Sequence, residues 1–298
     1  MTLILDQLDN TARVIQSAPI GICVTDAEGR FEMVNPAYCN FYGYRQDELI
    51  GQPFTVVVPE ANRAVLKDLH DRFIAGEDDD ELSQEWEVYG KDGQPRSILA
   101  RAARIIDADG AFKKVTFVVD ITERKAMEAR LEFLARHDEL TGLYNRRAGL
   151  ALLEEEVLRS RRYGTPLCVA TCDLDHFKRI NDRHGHATGD TALSEVAGLM
   201  KDALRQHDFI IRLGGEEFLV LLPGVDQEEA FVAMDRLRQR LAATPIADAR
   251  LRLTLSAGLA ELQDSDTPDD LLERSDQELY RAKHEGRNRV RYATQLAS

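Results

Sequence analysis

The stretch IIRLGGEEFLVLL, Ile210 to Leu222, constrains the fold more tightly than any other part of the chain. Two adjacent glycines stand between apolar runs, and a Gly-Gly pair supplies the φ > 0 geometry of a tight turn. The flanking residues are strand formers, so the segment reads as a β-hairpin. Its second arm is apolar enough to be buried, yet Glu216 and Glu217 lead straight into it. A turn alone needs no acids, and carboxylates at the start of a buried strand are costly unless they meet a cation or hydrogen-bond donors.

The same conflict appears in PLCVATCDLDHF, apolar up to Cys172 and then Asp-Leu-Asp. Successive strand residues face opposite sides, so one acid of each pair can point into a shared site. Converging there, Asp173 and Glu216 would be hard oxygen ligands for Mg²⁺, which binds a few carboxylates together with substrate phosphates. Spacing alone leaves open a second reading, two unrelated acidic strand ends. Positive charge gathers in YRAKHEGRNRVR, where Lys283 and Arg287 share a face if the helix reaches that far. Both are natural phosphate ligands, though a surface helix also carries such residues for solubility.

From Asp138 onward helices and strands alternate, an α/β pattern around the hairpin. Helices are expected at Arg146–Tyr163, Phe177–Arg183, Thr188–Gln206, in QEEAFVAMDRLRQRLAA and in DDLLERSDQELYRAKHEG. Strands are expected in PLCVATCD, RLRLTLSAGLA and NRVRYA. The first third reads instead as hairpins: GICVTDAEGRFEMVN, a second turning at Lys91-Asp92-Gly93, and a last strand in AFKKVTFVVDIT. The acidic run Glu77 to Glu81 reads as a solvated loop. Between the two parts, ERKAMEARLEFLARHDEL is strongly helical, with a capping-box-like start at Asp120 and Glu123. Met127, Leu131 and Leu134 follow the spacing of a coiled-coil seam, so a plain linker helix and a parallel dimer seam are both open.

The 298 residues suffice for two domains, and the net charge of −14 argues against nucleic acid or anionic membrane as partners. No apolar run approaches membrane-spanning length, and the N-terminus lacks the basic region of a signal peptide. Cys168 and Cys172 share one face of a strand and read as reduced, buried side chains, so a cytoplasmic protein is expected.

Five blocks now stand in order: DELTGLYNRR, DLDHFKRINDRHGHATGD, RLGGEEF, LSAGLA and DQELYRAKHEGRNRV. Together, from about Arg136 to the C-terminus, they resemble the GGDEF domain of diguanylate cyclases, with Glu216 where the family name has Asp. The resemblance implies a palm-like α/β domain that joins two GTP into cyclic di-GMP and works as a homodimer. It implies two Mg²⁺ (or Mn²⁺) on Asp173, the Leu174 carbonyl and Glu216, with Glu216 or Glu217 taking the proton of the attacking hydroxyl. Asn181 and Asp190 would read guanine, Gly214 and Gly215 would let the nucleotide approach, and His176, Phe177, Lys178, Lys283 and Arg287 would hold phosphates. Arg205 and Asp208 match the family's RxxD inhibitory site for the product, with Arg236 expected to serve a neighbouring domain's half of it.

DAEGRFEMVNPAYCNFYGYRQDELIGQPF, with KDGQPRSI and FVVDITERK later, resembles a PAS sensory domain. That implies a five-stranded antiparallel sheet over residues 6–121, a signalling helix over 122–137 and the catalytic domain over 138–298, an α+β chain overall. The block LHDRFIAG resembles the helix that carries the iron-ligating histidine in haem PAS sensors, which makes His70 a candidate haem ligand. Two rival readings are a GGDEF domain that binds nucleotide without catalysis and a dimerising scaffold whose PAS domain binds protein.

Overall fold

The computed structural model describes residues 8–77, 81–247 and 251–292. They fall into two compact units, Met1–Arg130 and Leu131–Ser298. The first contains α1 (Leu8–Ser17), β1 (Gly21–Thr25), β2 (Phe31–Val34), α2 (Pro36–Tyr42), α3 (Gln46–Leu49) and a 3₁₀ turn at Phe54–Val57. There follow α4 (Glu60–Ala75), β3 (Glu81–Tyr89), β4 (Pro95–Ile106) and β5 (Phe112–Asp120). The strands form one antiparallel sheet in the order β2-β1-β5-β4-β3, as the resemblance implied.

Both hairpins turn where the sequence says, on glycines with positive φ (Gly29 and Gly93), and each is braced by an aspartate carboxylate accepting a backbone N–H. Residues 78–80 of the acidic run lie outside the described residues. Asn35 ties the unit together from full burial: its Oδ1 accepts from Ile22 and Tyr38, and its Nδ2 donates to the carbonyls of Ile15 and Ile20. One amide thereby caps α2, joins it to β1 and holds the end of α1.

The helix α5 (Thr122–Arg136) follows β5. Asp120 accepts from the N–H of Thr122, two residues on, so the start is an Asx turn rather than the expected capping box. None of its side chains is buried, and Met127 and Leu131 are 57% and 59% exposed.

The second unit contains β6 (Tyr144–Asn145), α6 (Arg146–Tyr163), β7 (Leu167–Leu174), α7 (Phe177–His184), α8 (His186–Ala203), β8 (Phe209–Gly214) and β9 (Glu217–Pro223). It ends with α9 (Gln227–Ala243), β10 (Leu255–Glu261), α10 (Pro268–His284) and β11 (Val290–Tyr292). The sheet runs β11-β10-β7-β9-β8-β6, parallel at its two outer pairs and antiparallel within. The two-residue β6 was not expected, being too short to leave a pattern.

Every residue of β7 is buried, because helices cover both faces of the sheet. The two-residue period of a strand sorts its side chains. Cys168, Ala170 and Cys172 join Phe218 and Val220 against Val196 and Met200 of α8 and Met234 of α9. Leu167, Val169, Leu219 and Leu221 pack on the other face with Leu153 of α6 and Leu271 of α10. On that second face α10 lies nearly on the backbone of β10, because Gly258 has no side chain to hold it off. A Cβ there would stand 2.1 Å from Leu279 N and Ser275 O. Backbone cannot swing aside as a side chain can, so Gly258→Ala is expected to destabilise this unit by about 3 kcal/mol, read as a lowered urea midpoint.

Candidate active site

The end of β7 and the start of β9 are neighbours in the ladder. Asp173 lies opposite Glu217, and the Leu174 N–H donates to the Glu216 carbonyl at 3.2 Å. Glu216 occupies the loop between Gly215 and β9, so the Asp173 and Glu217 side chains share a face while Glu216 projects from the turn. Positive φ falls on Gly214 and Gly215 and not on Glu216, the pattern of a turn with glycine at its first central position. Neither glutamate's carboxylate has a hydrogen-bonding or ionic partner among the described residues. Asp173 is nine-tenths buried and meets the Lys283 ammonium of α10 at 2.7 Å. The two acidic strand ends are ladder neighbours, with Asp173 opposite Glu217, and a lysine expected on phosphate stands beside Asp173.

No cluster of three or more His, Cys, Asp or Glu side chains that could cage a metal occurs among the described residues. Two carboxylates and a carbonyl are instead a donor set that fits Mg²⁺, which keeps waters and substrate phosphates in its shell.

Asp175 is the residue that sequence reasoning left without a role. Its buried carboxylate accepts from Thr254 Oγ1 (2.6 Å), Ser256 Oγ (2.7 Å) and the N–H of Asn288 (3.0 Å). The signal was there in Asp-Leu-Asp: a second acid at a buried strand end must find donors, and this one does. The bonds pin the loop after α10 to the end of β7. In that loop Arg287 and Asn288 both have positive φ, at 61° and 48°. Helix α10 ends at His284, so Lys283 and Arg287 do not share a helix face as expected. Arg287 is exposed on the loop, and its N–H donates to the Ala282 carbonyl.

Arg212 was missed too. Its guanidinium bonds both oxygens of Asp138, at 2.9 and 3.1 Å, and donates twice to the Gly215 carbonyl, at 3.0 and 2.9 Å. It thereby ties the acid of DELTG to the hairpin turn. Asn181 on α7 keeps a buried Oδ1 without a partner, and a Cβ on Gly189 of α8 would overlap it at 1.9 Å. The absent side chain at 189 is what leaves room for that amide, and Asp190 next to it is exposed. His176 precedes α7 in left-handed backbone (φ 60°); it and Lys178 are exposed, and Phe177 is buried in the core.

Helix α8 ends at Ala203, short of the expected Gln206, and the chain turns on Asp208, whose carboxylate accepts from the Arg205 N–H at 2.7 Å. Burial pushes the Asp208 carboxyl above the usual carboxylate value, against the pull of Arg205 and Arg236. Arg236 of α9 donates to the Ala203 carbonyl and lines one cavity of about 370 Å³ with Arg205 and Asp208. Within its own chain Arg236 stands beside Arg205 and Asp208, because α9 packs on α8.

In the first unit His70 is buried, its Nε2–H donating to the Ala27 carbonyl and its ring against Phe54. Burial and the charge of Lys114 hold it below the usual histidine value. It does not line the nearby cavity of about 90 Å³, far below the roughly 300–1,000 Å³ of ligand and cofactor pockets. A haem does not fit that cavity, and the His70 ring packs on Phe54 with its Nδ1 buried and unpartnered.

Residues 135–289 match the family model "Diguanylate cyclase, GGDEF domain", and residues 9–121 match the PAS fold. The chain is 45% identical over 176 residues to the diguanylate cyclase DgcP of Pseudomonas aeruginosa, covering 57% of this chain and 26% of that protein. It is 32% identical over 274 residues to DgcM of Escherichia coli K12, covering 92% and 66%. The chain thus spans between a quarter and two thirds of the length of these relatives. Among solved structures it is similar to the coiled coil and GGDEF domain of DgcB from Caulobacter crescentus in complex with c-di-GMP. There the identity is 29% and the TM-score 0.55, over 58% of this chain and 93% of that one. No helix among the described residues is long and apolar enough to cross a membrane.

Burial alone would raise the Asp138 carboxyl, but the Thr141 hydroxyl and the Arg212 guanidinium outweigh it and hold it below the usual value. A lowered carboxylate stabilises the fold above its unfolded-state value and loses that contribution as pH falls through its folded value. The stability gap between wild type and Asp138→Asn is therefore expected to be full near neutral pH and to close below about pH 4, followed by thermal melts across pH.

Proposed function

We propose that this chain, which belongs to the diguanylate cyclase (GGDEF) family, condenses two GTP into cyclic di-GMP and two pyrophosphates under the control of its PAS domain. The observation that carries the reading is the ladder pairing that sets Asp173, Glu216, Glu217 and Lys283 at one sheet end. We assign residues 6–121 to the sensory domain, 122–137 to the linker helix and 138–298 to catalysis.

The reaction is attack of one GTP's 3′-hydroxyl on the α-phosphorus of another, releasing pyrophosphate, and then the same step in return. Asp173, the Leu174 carbonyl and Glu216 would hold Mg²⁺, which neutralises developing charge and acidifies the attacking hydroxyl. Glu217, opposite Asp173 and without a partner of its own, is the carboxylate we assign to that proton. Lys283, Arg287 and Lys178, with the amides at the start of α7, bind the phosphates. The unpaired Asn181 Oδ1 and the exposed Asp190 carboxylate are acceptors suited to the N–H groups of guanine. Gly214 and Gly215 let the nucleotide lie close to the backbone. Each catalytic unit binds one GTP, so two must meet, and the exposed Met127 and Leu131 on α5 support a homodimer through that helix. Arg205, Asp208 and Arg236 form the product site: two guanidiniums and a carboxylate match the Hoogsteen edge, phosphate and N–H of guanylate.

Purified protein with Mg²⁺ and GTP is expected to yield cyclic di-GMP. Asp173→Asn and Glu216→Gln should each cut the rate by more than the roughly 10–100-fold typical of losing a mere supporting partner, with unchanged melting. Full activity in both would overturn the assignment. Added cyclic di-GMP should slow the wild type and spare Arg205→Ala; equal inhibition of the two would remove the product site from the proposal.

A further inference from the structure

In the first unit Lys114 of β5 lines the cavity of about 90 Å³ between the sheet and α4. Its Nζ lies 5.5 Å from the ring centre of Phe54 and 5.8 Å from that of Phe73. No carboxylate pairs with it among the described residues. Across the ladder β5 pairs Lys114 with Arg104 of β4, a second cation, whose own guanidinium turns to the Phe73 carbonyl and the Phe112 ring. Burial pulls the Lys114 ammonium below the usual lysine value, so its surroundings do not solvate the charge well.

On its other side, β1 sets Thr25 directly opposite Lys114. Thr25 is 3% exposed and its hydroxyl has no hydrogen-bond partner. A buried unpaired hydroxyl and a counterion-free ammonium are each costly alone. Here they are cross-strand neighbours on one face, with Cβ atoms about 5 Å apart by ladder geometry, and both line the same cavity. The remaining wall is mainly apolar: Phe54, Val57, Leu66, Trp86 and Val88.

We propose that this cavity binds a small monocarboxylate of acetate-to-butyrate size, one oxygen on the Lys114 ammonium, the other on the Thr25 hydroxyl, and the short tail against Phe54, Val57 and Trp86. A carboxylate has two acceptor oxygens, one for each of these donors, and a single charge to match one ammonium. The size follows from volume, since an apolar cavity of about 150 Å³ admits benzene and this one is smaller. A phosphate dianion would set a second charge against apolar walls with one ammonium to meet it. The assignment is independent of the catalytic reading of the second unit.

Isothermal titration of the full chain at constant ionic strength tests it, with acetate, propionate and butyrate as ligands and hexanoate, propanol and inorganic phosphate as comparators. One of the three short acids should bind saturably at one site per chain, with the comparators silent. Lys114→Gln and Thr25→Val should each weaken that binding by about tenfold or more, the worth of a charge-assisted hydrogen bond. Thr25→Val keeps the side-chain shape and serves on its own if Lys114→Gln does not fold. Absence of saturable binding by all three acids, equal binding of propanol, binding of phosphate in their place, or unchanged affinity in the folded variants would overturn the proposal.

Discussion

The ladder between β7 and β9 is the constraint on which the second unit depends. Both strands are apolar along their length and covered by helices on both faces, so a slip of one residue would send each side chain into the wrong core. The register that keeps Cys172 with Phe218 on one face and Leu219 and Leu221 on the other also brings Asp173 opposite Glu217. The acids meet because the core fixes where the strands may pair. Lys283 then arrives from α10, whose close approach to β10 is made by the missing side chain of Gly258.

Around that ladder, polar groups hold the loops that the core cannot reach. Asp175 gathers two hydroxyls and a backbone N–H from segments far apart in the chain, and Arg212 joins the Asp138 turn to the carbonyl of Gly215. His176, Arg287 and Asn288 stand in left-handed backbone next to these ties. Such conformations are disfavoured for residues with a Cβ and persist where surrounding bonds over-determine them. The strain is concentrated beside the residues assigned to phosphate. In the first unit Asn35 does comparable work with four hydrogen bonds, leaving the cavity to be lined by Thr25 and Lys114.

Much of this was legible in residue order. The helices at Arg146–Tyr163 and Gln227–Ala243 lie where their pattern sets them, because strong amphipathic runs with clear caps carry their own boundaries. The Gly-Gly turn was readable for similar local reasons, and the five-stranded antiparallel sheet followed from the PAS resemblance. Boundaries set by distant partners were not. Helix α8 stops at Ala203, whose carbonyl accepts from Arg236 of α9, and β10 begins at Leu255, later than its apolar run suggests. Arg287 leaves its helix because Asp175 holds the next residue. That Arg236 faces Arg205 and Asp208 and that His70 faces Phe54 could not be read in residue order, because a lone side chain on a helix does not announce which neighbour it faces.

The sequence by itself determined the kinds of element, the turn that joins the central hairpin and the chemistry of its acids. Those follow from local backbone preference and from two- and 3.6-residue periods. Which acids share a face, where Lys283 and Arg287 reach, and that Lys114 and Thr25 stand side by side were decided only by tertiary structure. Each of these is a pairing between residues far apart in the chain, set by strand register and helix packing, and no local pattern encodes it.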